Sequence, residues 1–268
     1  MKKLYLLFIS LVICLSFYSL TYAQVIADKR EMKLTIEPGQ KFSDTITVEN
    51  TSNKDITVKA YLEDVGYESP YNELKCCSPL GSTSYSSGKW VSITPDLFII
   101  PKKAKQTITY NVNVPNNAKG GYYNILFLEV TPNTAVGDKG ISLVTRSGFP
   151  FFLETKDKKR SGKIEDISIA QDSIKGYLIN SGNVILITQG TFYIMDEKGI
   201  VSDRGDIAKF YLPPEAKAPF TIKLSNQITK GKYTVVINFD LEEGKTLVKE
   251  VDFSKDASGE IKILKVRD

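Results

Sequence analysis

The sequence contains no histidine. That absence removes Ser-His-Asp and Cys-His nucleophilic catalysis, and nearly all catalytic zinc sites, which rely on imidazole. Also missing are a P-loop, a dinucleotide-binding glycine pattern after a strand, and calcium-loop spacing. Cysteine is scarce: Cys14 lies in the N-terminal apolar run, and Cys76 and Cys77 stand side by side. The adjacent pair cannot supply the long-range staple of an antibody-type sandwich, because no partner exists elsewhere in the exported part. The two read as loop thiols or a local disulfide, with an intermolecular link or a redox-sensitive contact as the sharper alternative. Paired carboxylates are represented by Glu242-Glu243, in an apparent hairpin turn where solvation is the default explanation. These absences point away from an enzyme, and nothing in the chain asks for a cofactor or a metal.

Long apolar runs are confined to the start. Met1-Lys2-Lys3 is a short basic head, Leu4 to Leu20 is largely apolar, and Thr21-Tyr22-Ala23 offers a cut before Gln24. This is the layout of a secretory signal over residues 1–23. No later stretch approaches the roughly 18 apolar residues a membrane helix needs, so no stable anchor is expected once the signal is cleaved. Removing two lysines and no acid takes the net charge from +4 to +2, with 33 basic residues against 31 acidic. That balance gives no footprint for nucleic acid, and the one basic cluster, Lys156-Asp157-Lys158-Lys159-Arg160, reads as a solvated linker.

What is present is strand signal. Apolar alternation recurs about every eight to twelve residues with turn formers between, and no helical period appears. Phe42, Ile46 and Val48 share a face; Ile108, Tyr110, Val112 and Val114 point one way while Thr109, Asn111 and Asn113 point the other. Tyr122 to Val130 is apolar on both faces, which predicts a central strand with a covered outer face, or else a partner patch. The Tyr/Ser/Gly-rich tract 66–89 is long for a sandwich connection and reads as either functional or disordered. A polar, charged segment at 155–163 divides the chain. The fold expected is all-β: two tandem immunoglobulin-like antiparallel β-sandwiches, one at 24–154 and one at 164–268.

Leu34-Thr35-Ile36-Glu37-Pro38-Gly39, Ile46 to Ser52, Val58-Lys59-Ala60-Tyr61, Trp90 to Pro95 and Val114-Pro115 with Gly120-Gly121-Tyr122-Tyr123 resemble the PapD-like sandwich superfamily. Leu178 to Asn183 and Gly231-Lys232-Tyr233 resemble its partner domain. Two branches fit: the periplasmic pilus-assembly chaperones, and the surface proteins that interact with WxL-domain proteins. The first implies a periplasmic protein that holds exported pilus or fimbrial-type subunits by β-strand pairing. The second implies a secreted or cell-surface module, structural or adhesive, that binds cell wall, glycan or another surface protein.

The chaperone resemblance places the lent strand at Ile141 to Leu153, where Ile141, Leu143, Phe149, Phe151 and Leu153 share a face. Pro150 removes one donor from that strand, which an edge position tolerates. The resemblance also implies basic residues in the cleft between the domains, gripping a client's terminal carboxylate. Lys29, Arg30 or Lys33 on the first strand and Arg146 on the last are the nearest matches.

Overall fold

The computed structural model describes residues 25–132 and 144–268, and these form eighteen strands and no helix. The first ten are β1 (Val25–Ala27), β2 (Met32–Ile36), β3 (Lys41–Asn50), β4 (Ile56–Gly66), β5 (Lys75–Ser78), β6 (Val91–Thr94), β7 (Leu97–Ile100), β8 (Lys105–Asn113), β9 (Gly121–Pro132) and β10 (Thr145–Thr155). They pair into a four-stranded sheet, β1-β3-β8-β6, and a second sheet, β2-β10-β9-β4-β5, in which β7 also joins β4. The predicted alternation is what joins the two sheets. Ile46 and Val48 of β3 and Ile108, Tyr110 and Val112 of β8 are buried at every second position, facing Val58, Leu128 and Phe151 in one core. Fully burying such a side chain is worth ~1.5–3 kcal/mol, so these faces carry most of the stability.

One pairing departs from the antiparallel expectation. The first strand changes sheets: β1 lies antiparallel to β3, and after a bend the chain continues as β2, which runs parallel to β10. Asp28 holds that bend, donating its N–H to the Thr47 carbonyl and accepting the Thr47 N–H on Oδ1, both at 3.0 Å. Because β2 is short, it covers only Phe151 to Thr155 of β10.

The second unit contains β11 (Gly162–Ala170), β12 (Ser173–Asn180), β13 (Leu186–Asp196), β14 (Val201–Leu212), β15 (Lys217–Lys223), β16 (Gly231–Asp240), β17 (Thr246–Lys255) and β18 (Ile261–Arg267). A three-stranded sheet, β11-β12-β15, packs on a five-stranded one, β14-β13-β16-β17-β18. Phe210, Phe220, Phe239 and Phe253 centre the core, and the Phe220 ring meets Phe239 edge-on at 5.6 Å. The last strand, β18, lies on the edge of that sheet beside β17.

The two units repeat one device. Asn50 ends β3, and its amide donates to the carbonyls of Lys54, Ile100 and Pro101 while its oxygen accepts the Ser52 N–H. Asn180 ends β12 and does the same with the carbonyls of Val184 and Leu212 and the Gly182 N–H. Each buried amide is thus satisfied by stitching its own turn to a distant strand end.

A third apolar cluster lies between the units. Val65, Tyr123 and Phe152 from the first are buried against Ile185 from the second, with Tyr67, Tyr85, Ile125, Ile187 and Tyr211 packed around them. This covers the outer face of β9 at Tyr123, so β9 is the central strand its two apolar faces predict. The tract 66–89 supplies much of the joint. Tyr71 packs on the second core and its carbonyl accepts the Tyr211 N–H at 2.7 Å; the Asn72 amide reaches the Lys209 carbonyl and the Tyr85 hydroxyl the Pro214 carbonyl. Buried Asp64 anchors the rest of the tract, accepting from Thr83, Ser86 and Asn124.

Candidate functional site

The segment after β10 is fixed by backbone and side-chain bonds rather than left as solvated linker. Asn183 accepts the Lys159 N–H on its side-chain oxygen and donates its own N–H to the Lys159 carbonyl, while its carbonyl accepts the Gly121 N–H. Gly120, at φ 74°, and Gly182 leave no space for a side chain: a Cβ would strike the Asn183 carbonyl oxygen at the first and the Lys159 carbonyl oxygen at the second.

Arg160 is the electrostatic centre of this joint. Its side chain is 3% exposed, and Nη2 donates to both oxygens of Glu154 at 2.8 and 2.9 Å. Nε donates to Glu242 Oε2 at 2.9 Å across the domain boundary, and Glu243 lies 3.4 Å from Nη1. Burial alone would push the guanidinium pKa down, but the bonds to Glu154 and Glu242 outweigh it and the pKa is raised. Beside this triad opens a recess of about 280 Å³, lined by Lys33, Leu34, Thr35, Phe152, Glu154, Lys158, Arg160, Glu242 and Glu243. Lys33 Nζ is 3.5 Å from Glu242, and Lys158 Nζ is 2.5 Å from Glu243. Three cations face three carboxylates, so the recess is neutral as it stands.

Next to the recess lies the part of β10 that β2 does not cover. β10 pairs with β9 from Thr145 to Glu154, but β2 takes its other side only from Phe151 onward. Among the described residues, β2 therefore does not reach Thr145 to Pro150, a length of about 20 Å at the usual rise per residue. This stretch runs straight into the start of β2, where Lys33 sits opposite Phe152.

The structure sorts the residues proposed from the sequence. Lys33 lies in the recess. Lys29 does not: it holds Asp44 at 2.5 Å and sits over the Tyr110 ring. Arg30 is exposed on the bend before β2. Arg146 is near the far end of β10, on the outer face of the sheet, paired with Glu63 at 2.9 Å and stacked 3.7 Å from the Phe127 ring centre. Phe151 and Leu153 are buried in the chain's own first core and Phe149 packs partly against it, so these three side chains are committed inward. Ile141 and Leu143 lie outside the described residues.

Sequence reasoning missed Lys158 and Arg160, which it read as solvated linker, and gave Glu242 and Glu243 to solvent. A usable signal was present: Arg160 is the single arginine ending a lysine-rich run, and arginine is the cation suited to buried bidentate pairing. Nothing local marked the two glutamates as its partners.

No protein-family model matches the chain, and no curated protein does. Solved structures do. The chain is similar to a structure from a chaperone–tip adhesin complex of CFA/I fimbriae biogenesis, at 15% identity and a TM-score of 0.52, over 84% of this chain and 97% of that one. It is also similar to the class 5 fimbriae chaperone CfaA, at 14% identity and a TM-score of 0.51, with the same shares covered. At such identities the likeness establishes architecture alone: the chain shares with those two structures an all-β fold of two immunoglobulin-like sandwiches.

Proposed function

We propose that this is an exported, periplasmic, non-enzymatic chaperone-like or adaptor protein that holds another exported polypeptide by β-strand pairing. The observation that carries the reading is that, among the described residues, β2 covers β10 only from Phe151 onward, so that the stretch Thr145 to Pro150 leads into the recess at Lys33. A client strand laid parallel to β10 would occupy the line that β2 later takes. Its last residue would then meet the first turn of β2, with its terminal carboxylate beside Lys33. Main-chain hydrogen bonds would give affinity, and the cation would fix register at the end of the strand. One of the similar structures is itself a chaperone with an adhesin, which agrees with a polypeptide client.

Capture of exported subunits from the cell envelope tests this. Tagged wild-type protein should bring down pilin-like subunits identified by mass spectrometry, and Lys33→Glu should lose most of them. Retention on purified peptidoglycan, with subunit recovery the same for wild type and Lys33→Glu, would replace this reading with that of a wall-binding surface module.

A further inference from the structure

The strand-pairing reading leaves the two acids of the recess unexplained, and their placement is built rather than accidental. Glu242 and Glu243 both have left-handed backbones, at φ 65° and 52°, a conformation uncommon outside glycine. The turn that imposes this is tied at three points: Leu241 N–H to the Lys245 carbonyl, Lys245 N–H to the Glu242 carbonyl, and Glu242 N–H to Asp240 Oδ1. As a result the tip of the β16–β17 hairpin aims two carboxylates back at the first domain.

We infer that this hairpin tip is an internal competitor for the recess: Glu243 holds the lysine that an incoming terminal carboxylate would otherwise engage. The inference rests on the strand-pairing reading and adds a partner to it from within the chain. The two acids divide the labour. Glu242 serves buried Arg160 and so belongs to the permanent joint. Glu243 is 47% exposed and hydrogen-bonds Lys158; it meets Arg160 only at Nη1, 3.4 Å away, whereas the Arg160–Glu154 pair runs through Nη2. The Lys158 hydrogen bond holds the Glu243 carboxyl below the usual range, so it is anionic under neutral conditions. A client carboxylate entering beside Lys33 and Lys158 would be the fourth anion among three cations. Charge balance then favours release of Glu243 as the client docks, so Glu243 weakens capture of a free carboxylate and leaves binding of a capped end unaffected.

Fluorescence anisotropy at low salt tests this with a labelled peptide of alternating valine and threonine, made once with a free carboxyl terminus and once amidated. Glu243→Gln, with Glu243→Ala as a second variant, should bind the free-acid peptide roughly two- to fivefold more tightly than wild type, the range one part-exposed ion pair supports, and the amide unchanged. If wild type prefers the free acid and Lys33→Gln loses that preference, while both Glu243 variants bind no more tightly, the competitor is refuted and the cleft reading stands. If wild type and all variants bind acid and amide alike, the cleft reading itself falls.

Discussion

Arg160 concentrates the energetics of the joint in one side chain. A buried guanidinium is costly to desolvate, and here two carboxylates return that cost through three short hydrogen bonds. Removing it would leave Glu154, whose side chain is 10% exposed, with only the longer Lys158 contact at 3.5 Å as counter-charge. Arg160→Ala should therefore destabilise the protein by about 3 kcal/mol or more, whereas the Arg160→Met, Glu154→Gln pair should cost distinctly less. Urea unfolding of both variants measures this; equal losses would show that packing, rather than the unpaired charge, sets the cost. This residue was hidden in the sequence for a physical reason. A charge run looks solvated unless its counter-ions are visible, and those of Arg160 stand six residues before it and 82 after. Lys33 was legible only as one of three basic residues near the first strand, because which of them enters the recess depends on where the chain changes sheets.

Among the elements, alternation made most strands legible, and the misses follow from its limits. β3 and β8 could be read because each has one wet and one dry face; β9 could be read as central because it has none. The parallel union of β2 with β10 left no local trace, since pairing direction is not written in side-chain period. Nor could the sequence show that Phe151 and Leu153 belong to the chain's own core, because an apolar face looks the same whether it serves the host or a guest. The connection between the units depends on turn geometry. Gly120→Ala would place a side chain against the Asn183 carbonyl in a left-handed backbone and should cost more than about 1 kcal/mol. Timed trypsin digestion should then show faster cleavage at Lys156, Lys158 and Lys159 than in wild type. An unchanged digestion rate would mean that the Asn183 bonds do not hold this segment.

For the molecule as a whole, the cluster around Tyr123 and Phe152 joins the two sandwiches through a shared apolar seam. Desolvation keeps the Tyr123 hydroxyl protonated far above its ordinary range, and at the joint that hydroxyl accepts the Ile185 N–H at 2.8 Å and donates to Glu154 Oε1 at 3.4 Å. Wild type should melt in a single calorimetric transition. Truncating both Tyr71 and Tyr123 to alanine should remove about 3 kcal/mol or more of shared packing and split the melt into two. A single transition in the double variant would show that the polar bonds alone couple the units. The tract 66–89, which reads from the sequence as either functional or disordered, is in the fold the strap that reaches from one unit to the other.

That strap has a practical corollary for anyone wishing to work with half of the protein. Severing the chain after β10 would leave Val65, Tyr67, Tyr123 and Phe152 facing water on one fragment, and Ile185 and Ile187 on the other. Each piece would keep its own sandwich yet carry a greasy wound where its neighbour had been, so neither half stands in faithfully for its share of the intact molecule.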